Sequence, residues 1–279
     1  MLSLRRLTKR FSGLLAVDCF SHEFPAVGVT GIIGPNGAGK STLLHLISGL
    51  HGIDEGEIHL GGQPITGWPP SRRARSGLMR TFQFEAGIPG LNVLENAALG
   101  LYGEAKCGFL PCLLRTPAAR REERAFRARA YATLDELGLG NLADRDPQLL
   151  SYGQVKLLGI VRSMVIMPRV LLLDEPAAGL SRPESECLTV ILSQLAERML
   201  IVLVEHNFRF LTSVASEVVV LDFGRKIFAG NPNDALVDPT VIEAFTGGVH
   251  SQGLAAIAQL SRGSGQHGGG SNSEPRRAR

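Results

Sequence analysis

Residues 34–42 read GPNGAGKST and match the pattern GxxxxGK[ST]. Glycines in such a run let successive backbone N–H groups close around phosphate oxygens, the helix that follows offers partial positive charge, and Lys40 adds a full one. Ser41 carries a hydroxyl suited to Mg²⁺. Gly34, Pro35, Asn36, Gly37, Ala38, Gly39, Lys40, Ser41 and Thr42 are therefore assigned to nucleotide binding. A second run, LLLDEP at 171–176, ends an apolar segment in two carboxylates. Asp174 is placed to hold Mg²⁺ through its water shell, and Glu175 to polarise an attacking water. His206 follows the apolar run LIVLV, and Gln83 follows LMRTF. By the same logic His206 is a candidate contact to the γ-phosphate, and Gln83 a candidate to reach Mg²⁺ or the attacking water. A last run, LLSYGQVKLL at 149–158, looks like a helix start capped by Ser151. Capping alone does not account for Tyr152 and Gly153 directly behind it.

These residues need elements to carry them. VGVTGII (27–33) reads as a buried strand, followed by the Gly-rich turn and an apolar helix from Ser41 to Leu50. VLLL (170–173), LIVLV (200–204) and EVVVLD (217–222) are further apolar strands, separated by helices over 183–197 and 207–215. Alternating helices and all-apolar strands imply a parallel sheet covered on both faces, with ligands at the carboxyl ends of its strands. Three of these strands bring Lys40, Glu175 and His206 to one sheet edge. LSLRRLTKRF, VDCFSHEF, EIHLGG and LMRTF read as shorter or half-buried strands, and FGRKIFAG as a hairpin continuation.

The block from about 85 to 165 reads as mostly helical. A helical pattern runs from Asn92 to Gly100, then an irregular KCGFLPCLLRTP, then a charged helix over 118–137. Phe126, Ala130, Leu134 and Leu137 give that helix one apolar face. The helix opening at Ser151 should end before Pro168. One domain over 1–248 with an inserted helical subdomain is expected. The segment 249–279, ending in RGSGQHGGGSNSEPRRAR, is too rich in Gly and Ser to bury a core and is expected to be disordered.

Composition excludes several alternatives. A net charge of +3 is too small for a nucleic-acid partner. The four cysteines, Cys19, Cys107, Cys112 and Cys187, form no CxxC pair and read as reduced thiols. MLSLRRLTKRF lacks the apolar core of a signal peptide. The most apolar region, 157–173, is broken by Arg162, Pro168 and Arg169, and a membrane span needs about 20 mostly apolar residues.

In set and order these motifs resemble the ATP-binding subunits of ABC transporters, over about residues 2–247. The resemblance implies a P-loop ATPase core with a parallel sheet, an N-terminal antiparallel β subdomain and the inserted helical subdomain. It implies ATP and Mg²⁺ as cofactors, with Ser41, Gln83 and Asp174 around the metal. Gln83 takes the place of the Q-loop glutamine, Asp174 the magnesium aspartate, Glu175 the catalytic glutamate, His206 the switch histidine, and Phe11 the aromatic that stacks on adenine. Ser151, Tyr152, Gly153 and Gln154 take the place of the signature motif. In the family that motif caps the γ-phosphate held by a second copy, so the chain should hold two half-sites and hydrolyse ATP only as a dimer.

Within the family, YGQ, DEPAAGL, RTFQ, SGLLAV and the insert GFLPCLLRTPAARREER resemble the branched-chain amino acid importer ATPases. That group pairs two ATPase subunits with two transmembrane permease subunits and an extracytoplasmic solute-binding protein, which places the chain at the cytoplasmic face of the inner membrane. Val155 and Gly159 stand where the group usually has polar and acidic residues, Ser181 stands where it has Asn, and Phe11 stands for Tyr. A urea or amide importer and a lipid-linked transporter are the nearest alternatives. A soluble ABC protein would need two cassettes or a coiled coil, and a small-molecule kinase would need neither the signature nor His206.

Overall fold

The computed structural model describes residues 1–81 and 87–246. Gln83 and the expected disordered tail lie outside the described residues. The chain begins with two long strands, β1 (Leu2–Phe11) and β2 (Leu14–Glu23), joined by a tight turn. Ser12 and Gly13 both have positive φ, 45° and 93°, as a two-residue hairpin turn of the twist-matched type requires. Then come β3 (Gly28–Ile33), α1 (Lys40–Ser48), β4 (Glu55–Leu60), the two-residue β5 (Gln63–Pro64), α2 (Pro70–Arg75) and β6 (Leu78–Arg80). The helical block follows with α3 (Val93–Ala98), α4 (Phe109–Leu113), α5 (Pro117–Glu136) and α6 (Tyr152–Met164). Strands and helices then alternate through β7 (Val170–Asp174), α7 (Arg182–Ala196), β8 (Leu200–Val204), α8 (Phe208–Val214) and β9 (Glu217–Asp222). The order closes with β10 (Arg225–Gly230), α9 (Pro232–Ala235) and α10 (Pro239–Thr246).

Two sheets result. The larger runs β10-β9-β3-β8-β7-β6, parallel throughout except for β10, which folds back on β9. The smaller, β2-β1-β4-β5, is antiparallel. Strand side chains alternate between two cores, as the period of two demands. Val29, Ile33, Leu171, Leu173, Ile201 and Leu203 face the core shared with α3, α5, α6 and α7. Ile32, Leu172, Val202, Val204 and Val219 face the second core, which α1 shares with both sheets through Leu43, Leu44, Leu46 and Ile47. This explains the unbroken apolar runs that mark the central strands. The apolar face expected on the charged helix is present: Ala130, Leu134 and Leu137 are buried and Phe126 packs beside them.

Some elements differ from their sequence pattern. The helix expected to Gly100 is α-helical only to Ala98, and residues Leu99–Glu104 tighten into a 3₁₀ turn. Gly100 explains part of this, because a Cβ there would sit 2.1 Å from the Arg162 carbonyl on α6. The irregular insert contains the short helix α4. A buried cation, Arg73, was not anticipated at all. It is 2% exposed and donates to the carbonyls of Leu46 and Ile47 (both 2.7 Å), Thr66 (2.6 Å) and Trp68 (3.0 Å), closing the C-terminal end of α1. Burial pulls its guanidinium down to about 10, still charged at neutral pH.

Candidate functional site

The Gly-rich run turns sharply between β3 and α1. A Cβ at Gly34 would lie 2.1 Å from the Leu221 carbonyl oxygen, and one at Gly39 would lie 2.2 Å from that of Ala16, with φ at 153° and 96°. Only glycine fits either position, so the path of the turn is set by its neighbours' packing and not by chance composition. Lys40 opens α1, and its Nζ donates to the carbonyls of Gly34 (2.8 Å) and Pro35 (2.9 Å). Partial burial lowers its affinity for its proton, while Glu175 and Asp174 work against that shift. The ammonium therefore already lies within the field of both carboxylates. Ser41 is exposed on the first turn of α1 and Thr42 half-buried beside it.

Asp174 and Glu175 leave β7 at its carboxyl end, next to the end of β8. Glu175 is held at φ 48° while its N–H donates to Val204 (2.9 Å). A non-glycine residue in this region costs on the order of 1–3 kcal/mol and persists where surrounding structure enforces it. The strain turns the carboxylate toward His206, whose Nδ1 lies 3.7 Å from Glu175 Oε1. Lys40, Asp174, Glu175 and His206 thus meet at one end of the sheet. Phe11 ends β1, exposed, with its ring edge-on to His51 at 5.4 Å. A hard cation held by one carboxylate, one hydroxyl and substrate phosphates suits Mg²⁺. Among the described residues no three His, Cys, Asp or Glu converge on a metal. In donor type, the Asp174 carboxylate and the Ser41 hydroxyl suit a magnesium ion whose remaining ligands come with a nucleotide.

Ser151 starts α6 as anticipated. Its Oγ accepts from Gln154 N–H (3.3 Å), and Gln154 Oε1 accepts from Ser151 N–H (2.9 Å), a reciprocal cap. Tyr152, half exposed, lies against the turn after β7, where a Cβ on Gly179 would come within 3.0 Å of its ring. The space beside Gly153 is filled from within the chain. A Cβ there would meet Glu184 Oε1 at 2.5 Å.

Four charged residues around the site carry no role in the sequence motifs. Arg80, on β6, donates from Nη2 to Asp174 Oδ2 (2.9 Å) and fixes that carboxylate's orientation. Its Nε and Nη1 are buried without partners among the described residues. Glu205, 1% exposed, accepts from Ala177 N–H (2.8 Å) and His206 N–H (3.3 Å), linking the turns after β7 and β8. Burial raises its affinity for a proton against those donors. Glu184, on α7, accepts from Ser181 Oγ (2.7 Å), Ser181 N–H (3.0 Å), Ser151 Oγ (3.2 Å) and Gly153 N–H (3.2 Å). The Ser181 hydroxyl, then its amide, holds that carboxyl below the usual range, with Ser151 and Gly153 adding to it. Sequence signals existed for two of them: Glu205 breaks an all-apolar run, and Glu184 stands three residues after a helix-capping Ser.

Lys156, the fourth, donates to the carbonyls of Glu175 and Pro176 (both 3.1 Å) and of Ala178. Its Nζ lies over the Tyr152 ring, 5.1 Å from the centroid. One ammonium thereby ties α6 to the backbone that carries Glu175. Lys156→Met should lower kcat roughly tenfold and leave ATP affinity unchanged, because charge-assisted bonds to several carbonyls are lost away from the phosphates. Steady-state kinetics beside nucleotide titration would check this; a change confined to KM would refute it.

A phosphate loop on a parallel sheet, two carboxylates and a histidine at its edge, and a capped helix start on an inserted helical block define a P-loop ATPase. Comparison with known proteins narrows the class. The profile of the family described as ABC transporter matches residues 17–178. The high-affinity branched-chain amino acid transport ATP-binding protein BraF of Pseudomonas aeruginosa is 36% identical over 249 residues, 88% of this chain and 98% of the relative. The corresponding protein LivG of Escherichia coli is 34% identical over the same length, with the same coverage. The probable LivG of Archaeoglobus fulgidus is 32% identical over 257 residues, 90% of this chain and 97% of the relative. Among solved structures, an ATP-binding cassette of an ABC transporter in its ADP conformation superposes with a TM-score of 0.76 at 30% identity, covering 88% of this chain and 98% of that one. A nucleotide-free cassette gives 0.74 at 29% identity with the same coverage. The chain belongs to the ABC transporter family, as an ATP-binding, ATP-hydrolysing cassette.

Proposed function

We propose that the chain energises an importer of branched-chain or other hydrophobic amino acids, hydrolysing ATP in a head-to-tail dimer with a second ABC ATPase subunit. The observation that carries this is the division of the chemistry between two surfaces. Lys40, Asp174, Glu175 and His206 gather at the sheet edge, whereas Ser151 and Gly153 hydrogen-bond to Glu184, not to residues 34–42. Each half-site lacks what the other holds. The relatives named above supply the solute class.

In the proposed site, Phe11 offers its exposed ring to adenine, and the N–H groups of residues 34–42 with Lys40 hold the phosphates. Ser41 and Asp174 hold Mg²⁺, which when bound screens charge on the β- and γ-phosphates. Glu175 accepts a proton from the attacking water, and His206, 3.7 Å away, orients that carboxylate and reaches the γ-phosphate. Gln83 lies between the phosphate-loop run and the helical block in sequence, and is proposed as the link to the membrane subunits. Across the dimer, the start of α6 at Ser151, Tyr152, Gly153 and Gln154 caps the γ-phosphate with the partial positive charge of a helix N-terminus.

Among the described residues no helix is long and apolar enough to cross a membrane. Attachment is accordingly proposed through two transmembrane permease subunits at the cytoplasmic face of the inner membrane, with an extracytoplasmic solute-binding protein acting indirectly. Affinity purification of the tagged chain from native membranes in mild detergent should recover permease subunits. Recovery of the chain without any membrane protein would contradict the transport assignment.

A further inference from the structure

Glu184 occupies the donors that the proposed dimer needs for phosphate. Ser151 Oγ has one proton, and it goes to Glu184 Oε1 at 3.2 Å. Gly153 has one N–H, and it goes to the same oxygen at 3.2 Å. The other carboxylate oxygen is held by the hydroxyl and amide of Ser181 at 2.7 and 3.0 Å, so the group is clamped between the start of α7 and the start of α6. Neither α6 donor can serve Glu184 and a γ-phosphate oxygen together, because each has a single hydrogen to give.

We propose that Glu184 is a positioning residue of the signature half-site, an internal anion that keeps Ser151 and Gly153 aimed and is displaced from them by the γ-phosphate on a partner subunit. This rests on the shared-site assignment made above. Before the partner arrives, the carboxylate satisfies an exposed helix start that would otherwise hold unpaired donors. When the phosphate arrives, one anion replaces another at the same two hydrogens, so dimer formation proceeds against the release of two charge-assisted bonds. Glu184 retains its Ser181 contacts, and the exchange needs only a swing of one carboxylate oxygen. The residue sets how much ATP is required to close the dimer, not how fast the bond breaks within it.

Glutamine separates this role from simple capping. At the third position of a helix Gln reaches back to the cap residue as Glu does, so Glu184→Gln keeps α7 capped and removes only the charge. The variants are made in a Glu175→Gln background, and ATP-dependent dimerisation is followed by analytical ultracentrifugation over a range of MgATP concentrations. Glu184→Gln should lower the ATP concentration for half-maximal dimer about tenfold, since two bonds to a charged acceptor become bonds to a neutral one, with Tm falling by only a few degrees. Glu184→Ala should also lower that concentration while losing Tm, two effects of opposite sense that a capping role cannot produce together. An unchanged or raised midpoint for Glu184→Gln, with Ser151→Arg abolishing the dimer, overturns the role of Glu184 alone. A Ser151→Arg chain that dimerises like its parent overturns the shared site, and this inference with it.

Discussion

Glu175→Gln should bind ATP as tightly as the unaltered chain, accumulate a stable dimer, and turn over about 10²–10⁴-fold more slowly, the range a positioned general base supplies. The substitution is nearly isosteric, so the left-handed turn at φ 48° and the N–H bond to Val204 that hold the residue are retained. What changes is the acceptor. An amide takes up no proton from water, and its attraction for Lys40, whose ammonium feels the Glu175 charge, disappears. Loss of that attraction acts on a lysine still held by the Gly34 and Pro35 carbonyls, so nucleotide binding survives. Single-turnover hydrolysis beside equilibrium ATP binding would separate the two effects. Brisk hydrolysis by this variant would remove Glu175 from the role of base and shift attention to His206, 3.7 Å away.

The second large effect concerns the division of the site between subunits. Lys40→Met removes the charge from one half-site and Ser151→Arg blocks the other, and each variant alone should lose about 10²–10³-fold in turnover, as loss of a preorganised electrostatic group does. Mixed together, they should recover activity. In a mixed dimer the intact phosphate loop of the Ser151→Arg subunit faces the intact signature of the Lys40→Met subunit, which gives one sound site out of the two. The opposite site carries both lesions. ATPase assays across mixing ratios should therefore peak near equal amounts, and a flat response would contradict the shared site. Full activity in either single variant would contradict it more directly.

Much of the fold was legible because the central strands are buried on both faces. Residues 170–173, 200–204 and 217–222 are apolar at every position but Glu217 and Asp222, and the two cores on either side of the sheet explain why no alternation is visible. The same burial made part of the site legible: Asp174, Glu175 and His206 come at the ends of such strands and lie at the sheet's edge, whereas Glu205, directly after β8, turns inward and is 1% exposed. Residues that act through neighbours from distant elements left no comparable trace. Lys156 lies on a helix face where charge is ordinary, and its meaning depends on carbonyls some twenty positions away. Arg80 sits within a three-residue strand, and nothing local marks it as the partner of Asp174. Gly153 stood out in the sequence, but its neighbour on α7, Glu184, did not. Boundaries around Gly100 moved because a packing constraint from α6 outweighed helical periodicity.

The clamp that Arg73 places on the far end of α1 bears on how force enters the molecule. The helix is fixed at its start by the packing of Gly39 against Ala16 and at its end by Arg73, whose guanidinium ties the carbonyls of Leu46 and Ile47 to those of Thr66 and Trp68. Its nine residues span about 13 Å between those anchors, along a flank sealed into a core that both sheets share. The nucleotide is therefore received against an anvil. When the subunits close, the displacement must be taken up on the opposing side, where α6 meets the turn after β7 through a few hydrogen bonds of Lys156 and Glu184. In the proposed dimer, work done by ATP binding would be delivered to the helical block, because the helix behind the phosphates is held at both ends.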